Sequence, residues 1–259
     1  MSQNHEHFGE LVWALARTDF KLRFHGSILG YVWALLKPLS LFLILNFVFS
    51  SLFNPMSTGT HHYSLQLLSS LMLFGFFTDG SMAGLLSLVN KSTLVTKIFV
   101  PRWIIIVAST VQTSLVFAIN LFIITLFFLW YGVWPGFAGI LTFAFYIVLT
   151  YALILAFSFI AAPIFVQFRD LVQVWEVTVS ALFYATPVIY PLTIFPPKYH
   201  AVVLANPMAF IVHHTKLALT EGQFASWQTN ALFAAAVMAL LGFSLLIYRR
   251  LEPKVAENL

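Results

Sequence analysis

The sequence predicts an all-α integral membrane protein with six transmembrane helices, and three observations carry that prediction. Only 8% of the 259 residues are charged while 60% are hydrophobic, against roughly 25% charged residues in an ordinary soluble domain. Several apolar runs exceed the roughly 18 residues that mark a membrane-crossing helix. Runs such as FAGILTFAFYIVLTYALILAFSFIAAPIFV (137–166) are apolar on every side, whereas the strands of a membrane barrel alternate over about ten residues.

The elements follow in chain order. About 30 fairly polar residues precede the first long apolar run, which is long enough to anchor, and no cleavable signal peptide is expected. Residues 8–24 form an amphipathic helix. Phe8, Leu11, Val12, Leu15 and Leu22 are assigned to its apolar face, with Glu10, Arg17 and Lys21 opposite, so it should lie in the membrane interface. Asp19 and Arg23 are four residues apart in the order that favours an ion pair. The stretch GSILG (26–30) then gives a flexible break. Spans are expected at 32–53, 63–89, 104–130, 137–166, 171–190 and 228–248, each long enough at about 1.5 Å per residue to cross a core of about 30 Å. Between the last two lies 191–222, with Pro191, Pro196, Pro197 and Pro207. Its apolar part is too short to cross, so it reads as paired short helices dipping into one leaflet under protein cover.

Charge sets the orientation. With a cytoplasmic N-terminus, the inside receives Arg17, Lys21, Arg23, Lys37, Lys91, Lys97, Arg102, Arg169, Arg249, Arg250 and Lys254, and the outside only Lys198 and Lys216. That bias puts both termini in the cytoplasm. Trp33, Trp103 and Trp175 then fall near inner ends of spans and Trp130, Trp134 and Trp227 near outer ends, as in an aromatic belt.

Several chemistries are disfavoured. The chain has no cysteine, hence no disulfide and no thiolate metal site. Neither a P-loop nor a His-Glu-x-x-His or Gly-x-Ser-x-Gly string occurs. His61/His62 and His213/His214 are adjacent pairs, poorly spaced for metal and expected to be solvated at the outer surface. The net charge of +4 sits in loops flanking spans and does not indicate nucleic-acid binding. Asp79, within FFTDGSMAG, and Glu176 are the acids inside spans, where a charge costs at least about 2.5 kcal/mol. Asp79 serves either an aqueous path or a helix contact that Gly75, Gly80 and Gly84 bring close. Tyr146, Tyr151 and Tyr184 carry hydroxyls that need partners at depth.

The segments RTDFKLRFHGSILGYVWALLKPL (17–39), FGFFTDGSMAGLLSLVNKSTLVTKIFVP (74–101), ATPVIYP (185–191) and ANPMAFIV (205–212) resemble, in order and spacing, membrane subunits of ABC-2 type exporters, and most closely the permeases for O-antigen, capsular polysaccharide and teichoic acid. The resemblance implies a homodimeric permease in a bacterial cytoplasmic membrane. Two copies of a separate ABC ATPase would bring ATP and magnesium, with no cofactor in this chain. The substrate would be a lipid-linked polysaccharide. It also implies roles. Helix 8–24 resembles an entrance gate, with Arg17, Lys21, Arg23, Leu29, Gly30 and Lys37 at the gate. Asn90, Lys91, Leu94, Lys97, Ile98, Phe99 and Pro101 resemble the segment that couples to the ATPase. The segment 191–222 resembles re-entrant helices capping the exit, and Phe42, Asn46, Phe49, Thr178, Phe183 and Tyr184 would lie on the path between protomers. Rival readings are an ABC-2 permease for a small drug or lipid, an ion or proton channel built on Asp79, and a membrane glycosyltransferase, for which the acids form no loop cluster.

Overall fold

The computed structural model describes residues 8–26, 29–53, 62–92 and 100–258. Within them the chain forms α1 (Phe8–Phe24), a 3-10 turn (Gly30–Val32), α2 (Trp33–Phe53), α3 (His62–Asn90), α4 (Arg102–Trp130), α5 (Gly136–Gln167), α6 (Leu171–Ala185), a second 3-10 turn (Leu192–Ile194), α7 (Pro197–Leu204), α8 (Pro207–Thr220) and α9 (Trp227–Asn258). Five of these, α2, α3, α4, α5 and α9, are long and apolar enough to cross a membrane.

Proline sets many of the boundaries. Pro197 and Pro207 occupy the first helical position of α7 and α8, where the missing N–H costs nothing. Asn206 caps α8, its side chain accepting from Met208 N at 3.0 Å. The fifth predicted span, 171–190, is helical only to Ala185. Pro187 forces the residue before it out of helical geometry, and Thr186 is extended at φ −96°, ψ 135°. The remaining 15 residues reach about 22 Å, short of a full crossing. α7 and α8 meet at 114°, so together they turn back rather than run straight through.

The core centres on α3. An 18-residue stretch of α3 is 61% buried, against 6% for α2. Small residues decide how close its neighbours come. A Cβ at Gly84 would lie 1.8 Å from Ser158 Oγ, and one at Gly80 2.6 Å from Ile154 Cδ1, so α3 and α5 touch across two bare positions. Gly139 gives α5 the same access to α8, with Ala218 O 2.8 Å from where a Cβ would stand. Gly75 departs from the expected packing role: a Cβ there meets nothing within 4 Å.

The contacts sort the helix ends onto two sides. Leu88, Ile105, Ile106, Phe159, Val166, Tyr248 and Val255 form one cluster. It gathers the end of α3, the start of α4 and the ends of α5 and α9 with the C-terminal region. α1 joins that side, Phe8 meeting Trp103 edge to face at 5.8 Å. On the opposite side, Tyr63 donates to Ile189 O at 2.8 Å, Gln66 to Thr220 Oγ1 at 2.8 Å and Tyr146 to Asn230 Oδ1 at 2.7 Å. Both ends of the described chain, α1 and the end of α9, therefore lie on one side.

Candidate functional site: an aromatic-walled cavity beneath the N-terminal helix

The α2, α3, α4 and α6 helices enclose a cavity of about 990 Å³. Its floor lies toward the side that carries the chain ends, where Arg23, Trp33, Lys37 and Asp79 come together. From Asp79 to Leu71, α3 climbs eight residues, about 12 Å, along its wall. Phe74, Phe117, Phe183 and Tyr184 supply aromatic faces, while Asn120, on α4, lines the far end. Phe74 and Phe183 meet edge to face at 5.4 Å, as do Phe183 and Tyr184. Gly75 exposes bare backbone to this space, which accounts for the open surroundings of its Cα.

The N-terminal helix is tied to the cavity by charge. Asp19 and Arg23 both reach outside α1. Arg23 Nη2 lies 3.3 Å from Asp79 Oδ2 at the cavity floor, and Asp19 pairs with Lys91, just beyond the end of α3. The spacing of Asp19 and Arg23 favoured a pair between the two, but the fold offers each a partner on another element. The Arg23–Asp79 side chains are 37% and 38% exposed, and Lys91 and Asp19 13% and 24%, so the second pair is the drier of the two.

The predicted site residues separate into those the cavity gathers and those it does not. Arg23, Lys37, Phe183 and Tyr184 line it together. Arg17 and Lys21 sit on the exposed face of α1. Leu29 is exposed, and Gly30 has φ +48°, a left-handed conformation that suits glycine, as the chain turns into the 3-10 segment before α2. Phe42 packs inward at 1% exposure with its edge on Phe127 at 5.4 Å. Asn46 accepts from Ser64 Oγ at 2.7 Å, tying α2 to α3, and Phe49 lies partly buried against the main core. Thr178 donates to Val174 O at 2.7 Å within its own helix. Asn90 is exposed at the end of α3, Lys91 is engaged by Asp19, and Pro101 caps α4. Leu94, Lys97, Ile98 and Phe99 lie outside the described residues.

Other expectations change at the opposite side. His214 is not a solvated histidine: it stacks on Tyr146 at 6.4 Å and lies against Phe210 at 4.3 Å. Lys216 was counted among the outer cations but is only 6% exposed. Its ammonium donates to the carbonyls of Pro187, Val188 (2.9 Å) and Tyr190 (3.3 Å). The three donors of a lysine meet three acceptors, and the irregular chain after α6 is satisfied where it leaves helical geometry. Trp175 is likewise not a simple belt residue: it stacks on Phe157 at 3.8 Å and donates to Ser81 Oγ at 3.1 Å. Of the three tyrosines, Tyr146 and Tyr151 find partners, in Asn230 and Thr110, while Tyr184 is 71% exposed. Among the described residues no group of three or more His, Cys, Asp or Glu is placed to hold a metal ion.

Asn120 lines the cavity but was not among the residues singled out from the sequence, where Asn46 was the only amide inside a span to be named. The signal was present: it is a lone carboxamide within VFAINLFII.

Comparison with known proteins places this architecture. Residues 10–215 match the family model described as ABC-2 type transporter. The chain is 23% identical over 260 residues to an O-antigen export system permease protein RfbA of Klebsiella pneumoniae, covering 100% of this chain and 98% of the relative. It is 25% identical to the O-antigen export system permease protein RfbA of Myxococcus xanthus, covering 96% and 95%. To the polysialic acid transport protein KpsM of Escherichia coli it is 24% identical, covering 95% of each. The family match spans most of the sequence and includes α1, the cavity helices and most of α8: the chain belongs to the ABC-2 type transporter family.

Proposed function

We propose that this multi-pass membrane protein is the permease subunit of a bacterial exporter that carries a lipid-linked polysaccharide across the cytoplasmic membrane. The observation that carries the reading is the cavity: cations at the floor beside the chain ends, aromatic faces above them, and an N-terminal helix ionically fastened across its base. Similarity along the whole chain to permeases named for O-antigen export and polysialic acid transport supports the same class of cargo.

ABC-2 permeases work with an ABC ATPase partner, and here ATP and magnesium belong to that separate subunit. The excess of cations on the side of the chain ends orients both termini to the cytoplasm. Lys91 and Asn90 then begin a cytoplasmic segment, 90–101, that docks on the ATPase. Two copies of the chain assemble through the uncovered faces of α2 and α6, with Tyr184 exposed 71% on that side of α6. An anionic carrier head would be drawn to Arg23 and Lys37 at the inner leaflet, as basic residues there attract anionic lipid at about 1 kcal/mol each. Asp79 is neutralised by Arg23 at the cavity floor, which favours a gate over a proton relay.

The test is reconstitution. Inverted vesicles holding the chain with its ATPase subunit should show ATP-dependent loss of lipid-linked glycan from the accessible leaflet. Movement of a fluorescent phospholipid with no movement of the glycan would overturn the assignment in favour of a lipid permease. Leu94→Asp or Lys97→Glu should abolish ATPase binding while the permease still folds and purifies; a complex that assembles and exports normally would refute the docking role of 90–101.

A further inference from the structure

The α9 helix is longer than a membrane crossing requires. Its 32 residues, Trp227–Asn258, reach about 48 Å against a core of about 30 Å. The surplus lies on the side of the chain ends, where a segment that merely ended the span would be solvated all round. Instead one of its faces is buried. Tyr248, Glu252 and Val255 stand four and three residues apart, which puts them on one side of the helix. Tyr248 is 4% exposed and Val255 fully buried, while the adjacent Arg249 and Arg250 are exposed.

What this face covers is specific. Tyr248 and Val255 share an apolar cluster with Leu88 at the end of α3 and Ile105 at the start of α4, and Val100 packs against it. Those two helix ends are the stems of the segment 90–101. Arg102, the first residue of α4, donates from Nη1 to the Glu252 carbonyl at 3.1 Å. A charge-assisted hydrogen bond therefore ties the second stem to the same face of α9. Phe159 of α5 meets Tyr248 edge to face at 5.3 Å and holds the base of that face to the bundle. The first stem has a fastening of its own, since Lys91 pairs with Asp19 of α1. A close-packed cluster is nearly incompressible and transmits displacement, so α9 joins the two stems into one body.

We propose that the end of α9 is a positioning element for ATPase docking, with Arg102 and Val255 as positioning residues. By holding both stems it sets the pose in which 90–101 is presented to the ATPase subunit. This rests on the docking role of 90–101 and adds to it a part of the chain 150 residues away.

The test is a binding cycle on the full chain in nanodiscs, titrated with its ATPase subunit. Leu94→Ala should weaken binding, as the docking role requires. Val255→Ala and Arg102→Gln should each weaken it roughly tenfold, the equivalent of about one hydrogen bond. Arg102→Lys, which keeps a charged donor, should recover most of that loss. Arg102→Gln opens no gap in the apolar cluster, so it reads the effect without loosening the fold. Val255→Ala and Leu94→Ala should be non-additive, because the pose of the segment matters less once its contact residue is cut back; mere support of the fold would leave them additive. Arg249→Gln with Arg250→Gln should bind as the wild type, since those side chains lie off the buried face. Wild-type affinity for Val255→Ala and Arg102→Gln, or additive losses in the Val255→Ala and Leu94→Ala pair, overturns the positioning role and leaves docking through 90–101 intact. A loss in the Arg249 and Arg250 double variant as large as that of Val255→Ala also overturns it, because the end of α9 would then touch the ATPase itself. Full affinity for Leu94→Ala refutes the docking role of 90–101, and the positioning role falls with it.

Discussion

Replacing Gly84 by alanine tests whether the α3–α5 contact is set by bare backbone. Helix propensity alone argues that any Gly→Ala change inside a helix stabilises by about 0.5–1 kcal/mol. At Gly84 the new Cβ would stand 1.8 Å from Ser158 Oγ, 2.5 Å from Ser158 Cβ and 3.3 Å from Thr110 Cγ2. Rotating Ser158 relieves the first contact only by breaking its bond to Ile154 O, 2.6 Å, worth about 0.5–1.5 kcal/mol. The Cβ–Cβ contact cannot be relieved by rotation. Carbon atoms pack at about 3.5–4.0 Å, so the helices must part by about 1 Å, and overpacking of this kind costs about 1–3 kcal/mol. After subtracting the propensity gain, Gly84→Ala should destabilise by about 1–3 kcal/mol. Gly80→Ala meets the flexible end of Ile154 at 2.6 Å and should cost less, while Gly75→Ala meets nothing and should stabilise. Thermal unfolding of the purified full chain in detergent should therefore rank Gly75→Ala above wild type, then Gly80→Ala, then Gly84→Ala. Adding Ser158→Ala to Gly84→Ala should recover only part of the loss, since it removes the Oγ contact and leaves the Cβ. A Gly84→Ala variant melting at or above wild type would refute the close approach.

The ion pairs and the buried lysine give three further expectations. Arg23→Gln or Asp79→Asn should change stability by no more than about 1 kcal/mol, because both partners are more than a third exposed, yet either should alter export by freeing α1 from the cavity floor; the swap Arg23→Asp with Asp79→Arg should restore export, measured as surface glycan. Lys91→Glu sets two carboxylates together in a drier place and should cost on the order of 2 kcal/mol, between the exposed and buried limits, with Asp19→Lys restoring most of it in the double variant by thermal unfolding. Lys216→Met strips donors from the carbonyls of Pro187, Val188 and Tyr190 and should destabilise by about 3 kcal/mol or more; protease cleavage within 186–191 should rise in step, and unchanged protection there would refute the strut.

The helical membrane class and most helix positions were legible because apolar length and lipid solvation leave few alternatives. The end of α6 was not. The run ALFYATPVIYP (181–191) stays largely apolar through Ile189, so composition extends the helix to 190, whereas the backbone stops it at Ala185 ahead of Pro187. The glycines show the same division. Gly75, Gly80 and Gly84 look alike in sequence, but two face Ile154 and Ser158 of α5 and the third faces the cavity. Which is which depends on helix rotation, and the polar residues of α3, among them Gln66, Ser70, Thr78 and Asp79, are spread around it and mark no single face from which to read it. Among the expected pathway residues, Phe183 and Tyr184 reach the cavity and Phe42 turns to Phe127 for that same reason.

The cations show most clearly what a one-dimensional reading misses. In sequence each lysine or arginine counts toward topology alone, with no partner needed. Three of those cations carry a second role that appears only in the fold. Arg23 finds Asp79 56 residues away, Lys91 finds Asp19 72 residues away, and Lys216 finds the carbonyls of Pro187 and Val188 29 and 28 residues back. Lys216 is also the more instructive case for the charge rule itself. Buried among carbonyls, it is held by protein rather than by the water outside, so it no longer speaks for the outer side, and removing it leaves Lys198 alone against the eleven cations on the other. The reassigned residue fastens α8 to the segment that follows α6. A change in the tilt of α6 would therefore reach the α7–α8 hairpin through Lys216 without passing through lipid, which makes Lys216→Met informative for export as well as for stability.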